Sequence, residues 1–273
     1  MKTFAIFNVK GGVGKTTSAT AIAHLLAAEH GRRVLLADLD PQSNTSSLFG
    51  RREADIVRII TSVFLDNDLG ALRQFEHTVG ELLTDPGADV RAAISPTRYP
   101  GLDLLPAFLD LSEVEERLKA DITAPQQFRL RNHLEKVSGD YDYCILDLSP
   151  SINLININGL AAADWVLSPM RLDLWGVAGY CIAKNLIDTV TAYNPKLAIA
   201  GCFFVQWENK SVARQIRDLM KQAMGERYID IPIRKSVKAE EMTYAGQALA
   251  DYAPAATASE DYRRLVRYLL KKF

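Results

Sequence analysis

The sequence predicts a doubly wound α/β fold, a mostly parallel sheet flanked by helices, and three observations carry that expectation. The apolar run Phe4-Ala-Ile-Phe-Asn-Val9 passes through a glycine-rich turn into a helical pattern. A second apolar run, Arg33-Val-Leu-Leu-Ala-Asp38, follows within about forty residues, which is the length of a strand, crossover helix and parallel strand. A third, Tyr141-Asp-Tyr-Cys-Ile-Leu-Asp147, again ends on a carboxylate. Apolar runs without polar alternation suit strands buried on both faces, and in such sheets the chemistry gathers at the carboxyl ends of the strands. With 273 residues and 48% hydrophobic content, residues 1–273 can form one domain around a full core.

Taken in order, strand one covers about Thr3 to Val9 and opens onto Lys10-Gly11-Gly12-Val13-Gly14-Lys15-Thr16-Thr17. The three glycines let successive N–H groups point inward around the oxygens of a polyphosphate, and the following helix adds its positive end. Lys15 is placed to reach β- and γ-phosphates, and the Thr16 hydroxyl to ligate a bridging Mg²⁺. This is a phosphate-binding loop, although Val9 stands where the general pattern G-x-x-x-x-G-K-[ST] has its first glycine. The loop helix, with Ile22, Leu25 and Leu26 on one face, ends at Gly31.

The second strand ends in Asp38-Leu39-Asp40-Pro41-Gln42. Alternation puts Asp38 and Asp40 on one side, where they either face the phosphate site or cap the turn before Pro41. From Ser43 to about Pro100 the pattern gives helices near Ala54 to Leu65 and Val79 to Leu83, with loops at Asp85-Pro-Gly87 and Tyr99-Pro-Gly101. A short strand at Leu102 to Pro106 precedes a helix from Leu109 to Lys119, whose Glu113, Glu115 and Glu116 read as a solvated face. Asp147 ends the third apolar strand. A buried aspartate there needs either backbone donors from the next loop or a metal–phosphate centre. Further strands are expected around Asp164 to Pro169 and Leu197 to Val205.

Charge and cysteine usage exclude several classes. A formal net charge of -1 gives no bulk attraction to nucleic acid, so any polyanion contact must be local. Cys144, Cys181 and Cys202 have neither disulfide-framework nor zinc spacing. The N-terminus lacks a signal-peptide pattern, and no run approaches the ~20 apolar residues of a membrane span, so a cytoplasmic setting is expected. Between Gln206 and Lys238 cations outnumber acids by four, and Lys210, Arg214, Arg217 and Lys221 share one helical face. The terminal segment puts Tyr262, Leu265, Val266, Leu269, Leu270 and Phe273 on one face, a pattern read as core packing in preference to membrane contact.

The doubled lysine of Lys10-Gly-Gly-Val-Gly-Lys15-Thr-Thr, followed by Asp38-Leu-Asp40-Pro-Gln42 and the strand ending at Asp147, resembles the deviant Walker A group of P-loop ATPases, the ParA/MinD family. The likeness continues through Pro100 to Ala107, Ile231-Pro232-Ile233-Arg234, Ala245-Gly-Gln-Ala248 and Ser259 to Leu265. It implies a P-loop NTPase fold and a slow ATPase of the ParA/Soj partition type. Its cofactors are ATP and Mg²⁺, with Lys10, Gly11, Gly12, Val13, Gly14, Lys15, Thr16, Thr17 and Pro232 on the nucleotide. Thr16, Asp38 and Asp147 serve the metal, and Lys10, Lys15 and Asp40 the catalysis, Asp40 by orienting water and Lys10 by crossing to the partner's nucleotide.

The resemblance further implies an ATP-dependent homodimer that binds nonspecific duplex DNA. Lys210, Arg214, Arg217 and Lys221 fall where the family carries its DNA-binding cations. A ParB-like or cargo-adaptor protein stimulates hydrolysis, giving plasmid or chromosome partition, or cargo positioning, on the nucleoid. Ser149-Pro150 departs from the family's usual pair of prolines. Strand one opens the chain directly, so no N-terminal helix-turn-helix domain is expected. The alternative is a membrane-associated MinD-like regulator of division or protein placement. A cluster-bearing reductase of the same group is set aside, because no cysteine precedes Cys144.

Overall fold

The structure, a computed structural model, describes residues 1–50, 55–67 and 69–273. Seven strands form one sheet: β1 (Lys2–Ile6), β2 (Val34–Leu39), β3 (Ser95–Pro96), β4 (Leu102–Leu105), β5 (Tyr143–Leu148), β6 (Trp165–Arg171) and β7 (Ala198–Val205). Their spatial order is β3-β4-β2-β5-β1-β6-β7, parallel throughout except for the two-residue edge strand β3. The chain winds to one side of β1 through β5 and to the other through β6 and β7. The crevice where ligands bind in such sheets therefore opens at the carboxyl end of β1.

Burial on both faces explains the apolar runs, and alternation divides them between two cores. Phe4, Ile6, Val34, Leu36 and Ile145 pack under the helices Lys15–Ala28 and Thr257–Lys272. Ala5, Leu35, Ala37, Cys144 and Leu146 face the opposite layer, which includes the helices Leu154–Ala162 and Leu174–Val190. A smaller core, with Met170, Cys202, Phe204 and Trp207, lies beneath the helix Ser211–Met224.

Several boundaries differ from expectation for identifiable reasons. β1 ends at Ile6, the Phe7 amide still donates to Leu167 O at 3.0 Å, and after it the Asn8 side chain replaces the backbone, donating from Nδ2 to the Pro169 carbonyl at 3.0 Å. The loop helix is buried on nearly all sides from Ser18 to Ala27, not along one stripe, because Ala19, Ala21, Ala23 and Ala27 let neighbours approach closely. The helix expected from Ala54 is present as Asp55–Asp66, with Ala54 itself outside the described residues.

Beyond β7 an irregular strand follows it: the Ile229 amide donates to Cys202 O at 2.8 Å and the Ile233 amide to Phe204 O at 2.7 Å. Pro232, having no N–H, hides this strand from pattern reading.

The C-terminal helix docks on the core. Tyr262, Leu265, Val266 and Leu269 are buried, and the Tyr262 hydroxyl is 2.9 Å from Ser18 Oγ of the loop helix. Phe273 meets the Phe4 ring edge-on at 5.4 Å between centroids. Among the described residues no helix is long and apolar enough to cross a membrane.

Candidate nucleotide and metal site

The loop after β1 has the backbone that its glycines permit. Gly12 and Gly14 sit at φ 69° and 68°, in the left-handed region, and Gly14 caps the loop helix. Asn8 braces the loop from below by accepting the Lys10 amide at 3.0 Å. A Cβ at Gly179 would stand 2.6 Å from Asn8 Oδ1, so the helix Leu174–Val190 reaches this brace only as glycine. Val13 is fully buried, anchoring the turn, while Gly11 and Gly12 face solvent.

Lys15 folds back across the loop, its Nζ donating to the Lys10 carbonyl at 3.1 Å. Burial lowers its pKa from the ordinary lysine value, and the charges of Asp147 and Asp40 oppose that shift. Lys10 is half-exposed, and its ammonium has no carboxylate partner among the described residues.

Two carboxylates close the floor. Asp38 and Asp147 are register partners on β2 and β5, and both are fully buried. Asp147 Oδ2 accepts the Thr45 hydroxyl at 2.8 Å, and the Thr16 hydroxyl lies near enough to this carboxylate to oppose the rise of its pKa. Its other oxygen, Oδ1, is buried without any partner among the described residues. Asp38 is more fully occupied: Oδ2 takes the Ser46 N–H at 2.8 Å and the Ser46 hydroxyl at 2.7 Å, and Oδ1 takes the Asp40 N–H at 3.1 Å.

Burial raises both pKa values, to about 7 at Asp38 and about 6 at Asp147, with Asp147 adding its charge against Asp38. Asp40 sits nearer the surface, and its Oδ1 accepts the Gln42 amide at 2.9 Å. Asp40 closes the turn across Pro41, while Asp38 points inward to Ser46.

A divalent cation fits this donor set. A buried carboxylate oxygen without a partner, beside a threonine hydroxyl and below a lysine, is costly alone and satisfied by a metal. No group of three or more His, Cys, Asp or Glu among the described residues could enclose an ion. The unpartnered Asp147 oxygen and the nearby Thr16 hydroxyl suit Mg²⁺ held by few protein ligands and completed by phosphate and water.

Comparisons with known proteins agree along the chain. Residues 1–199 match the family model described as an AAA domain. The chain is 32% identical to the chromosome partitioning protein ParA of Caulobacter vibrioides, over 100% of this chain and 95% of that protein. It is 30% identical to the sporulation initiation inhibitor protein Soj of Bacillus subtilis, over 97% of each. The chain belongs to the ParA family of P-loop NTPases.

Among solved structures, cobyrinic acid a,c-diamide synthase of Mycobacterium smegmatis, with bound ATP analogue and magnesium, is similar at a TM-score of 0.78 and 26% identity, covering 99% of this chain and 95% of that one. McdA of Cyanothece, at a TM-score of 0.80 and 23% identity over 99% of each chain, shares the fold.

Within this ParA-family chain two hollows flank the loop. One of about 480 Å³ is lined by Thr16, Thr17, Gln42, Asn44, Phe108 and Tyr244. A smaller one of about 110 Å³ lies on the β7 side, between Thr17, Gln206, Ile233, Arg234 and Tyr262, with half-buried Pro232 next in sequence to its lining. Arg234 is locked there by a bidentate pair with buried Asp261, at 2.8 and 2.9 Å.

The predicted basic face lies apart, on the helix Ser211–Met224, and is largely paired. Lys210, at its cap, meets Glu208, while Arg217 and Lys221 share Asp230. Arg214 is exposed and has no carboxylate partner among the described residues. Sequence reasoning missed Asn8, Thr45 and Ser46. The polar run Ser43-Asn-Thr-Ser-Ser47, directly after the acid pair, was the available signal for the last two.

Proposed function

We propose that this protein is an ATP-switched partition ATPase that dimerises with ATP, binds duplex DNA without sequence preference and places a plasmid, chromosome or protein cargo. The observation that carries this reading is the convergence of Lys15, Thr16 and the unpartnered Asp147 Oδ1 at the mouth of a left-handed glycine loop. Residues Lys10 to Thr17 cradle the phosphates, and Pro232 borders the base. Lys15 leaves the Lys10 carbonyl for the β- and γ-phosphates, exchanging one backbone acceptor for a charged one.

Thr16 and Asp147 would hold Mg²⁺, and Asp38 would act behind them, since its oxygens already serve Ser46 and Asp40. When bound, the ion would supply neutralisation of the charge that develops on the phosphates. Asp40 orients the water whose oxygen bonds to the γ-phosphorus as the bond to the bridging oxygen breaks. An aspartate is a weak base, so turnover is slow without a stimulating partner. Lys10 stabilises the transferred phosphoryl in the partner's site. Its half-exposed ammonium without a carboxylate suits that reach.

DNA contact falls to Lys210, Arg214, Arg217 and Lys221, doubled in the dimer, and release follows hydrolysis stimulated by a ParB-like or cargo-adaptor protein. Residues 1–273 act as one domain, in the cytoplasm on the nucleoid. Docking of Tyr262, Leu265, Val266 and Leu269 onto the core supports this over a membrane-associated regulator, because that apolar face is already occupied.

The test is light scattering with ATP–Mg²⁺ against ADP–Mg²⁺, run with a mobility shift on unrelated duplexes. A dimer and a shift with ATP alone support the reading. Flotation with anionic liposomes and no DNA shift would overturn it.

A further inference from the structure

Two consecutive side chains of one short helix each hold one of the two buried acids. The helix Asn44–Gly50 presents Thr45 to Asp147 on β5 and Ser46 to Asp38 on β2. Ser46 is committed further, because its Oγ also accepts the Ala107 amide at 2.8 Å from the loop after β4. The Thr45 hydroxyl makes one polar contact among the described residues, and that contact is with the carboxylate whose second oxygen lacks a partner. We propose that Thr45 is a positioning residue for the metal site: by occupying Asp147 Oδ2, its hydroxyl turns the carboxylate so that Oδ1 is presented to Mg²⁺. This rests on the Mg²⁺–nucleotide reading above.

The physical reasons are three. A carboxylate at a strand end rotates about its last torsion, which is broad, so a single well-placed donor decides which oxygen faces the ion. Thr45 is completely buried and β-branched, so its hydroxyl is held stiffly and water cannot substitute for it. Thr16 stands in the first turn of the loop helix, on the phosphate side of Asp147, whereas Thr45 holds the carboxylate from the helix Asn44–Gly50.

A purely structural threonine would also satisfy a buried carboxylate, so the test must read the metal and not stability alone. Affinity of the full chain for a fluorescent ATP analogue is measured in EDTA and across a Mg²⁺ titration, for wild type, Thr45→Val and Thr45→Ser. Thr45→Val is expected to keep the EDTA affinity within about twofold and to raise the half-saturating Mg²⁺ concentration about tenfold or more. Thr45→Ser, which keeps the hydroxyl, should stay within about twofold of wild type in both.

A folded Thr45→Val chain with the wild-type Mg²⁺ dependence overturns the proposal. So does Thr45→Ser with weakened Mg²⁺ dependence, since the lost methyl would then be what matters, and it does so even if the valine chain does not fold. A wild-type chain whose nucleotide affinity ignores Mg²⁺ defeats the underlying reading instead.

Discussion

Asp38 and Asp147 stand side by side as register partners across the β2–β5 pair, and neither carboxylate reaches solvent. Two adjacent buried acids resist ionising together, and burial holds both pKa values above the ordinary 3.8, to about 7 and about 6. The unfolded chain releases these protons near 3.8, while the folded chain keeps them to higher pH. The unfolded state therefore binds fewer protons between the two values, and stability contributed by this pair falls as pH rises through that window.

Thermal melts of the nucleotide-free protein check this at several values from about pH 4.5 to 7.5. Asp147→Asn keeps an acceptor for Thr45 and removes the charge. Its melting temperature should gain on wild type as pH rises, and a difference that stays constant or shrinks would count against the charged-pair account. The same variant should lose the Mg²⁺ dependence of nucleotide binding.

Lys15 and Lys10 should separate cleanly. Lys15 is buried over the loop and Lys10 is not, so Lys15→Ala should weaken ATP binding by about 1.5–3 kcal/mol, the usual worth of a hydrogen bond to a charged group. Lys10→Ala should bind nucleotide as a monomer and lose the ATP-dependent dimer. Calorimetry for the first and light scattering for the second decide the matter, and a Lys10→Ala chain that still dimerises would return Lys10 to an ordinary loop residue.

Ser43 carries backbone strain where the chain leaves the acid pair. Its φ of 51° lies in the left-handed region without glycine's freedom. Ser43→Gly should stabilise the protein by about 0.5–1 kcal/mol, the left-handed penalty of about 1–2 kcal/mol less the entropy glycine costs. Urea denaturation measures it, and a loss of stability would mean that the serine side chain does more than fill a turn.

What the sequence disclosed, and what it hid, follows the range of the forces involved. The glycine loop, Asp38, Asp40 and Asp147 were legible because each lies at a strand end, where local pattern and chemistry coincide. Thr45 and Ser46 were not, because their meaning is set by acids 102 and 8 residues away along the chain. The irregular strand through Ile233 was hidden by Pro232. The burial of the loop helix on all sides depends on the docked C-terminal helix, which no local periodicity reports. The helical spacing of Lys210, Arg214, Arg217 and Lys221 was visible, but Asp230, which meets two of them, lies beyond the helix and comes in only through the fold.

That pairing makes the DNA reading testable in an unusual direction. Asp230 binds both Arg217 and Lys221, and Arg217 also lies against the Trp207 ring, 5.9 Å from its centroid. A phosphate approaching this face must compete with the carboxylate for two of the four cations, while Arg214 has no such competitor among the described residues. Removing Arg214 should therefore cost more DNA affinity than removing Arg217.

Asp230→Asn should strengthen binding, because it frees two cations, and it should steepen the fall of log affinity with log salt by about 0.9 for each phosphate newly neutralised. The measurement is a salt series of fluorescence anisotropy on an unrelated duplex with ATP–Mg²⁺, for wild type, Arg214→Ala, Arg217→Ala and Asp230→Asn. If Asp230→Asn leaves both affinity and slope unchanged while Arg214→Ala abolishes binding, DNA contacts the helix end near Arg214 and not the whole face. If none of the four chains differs, the basic face is simply solvated and the DNA contact lies elsewhere.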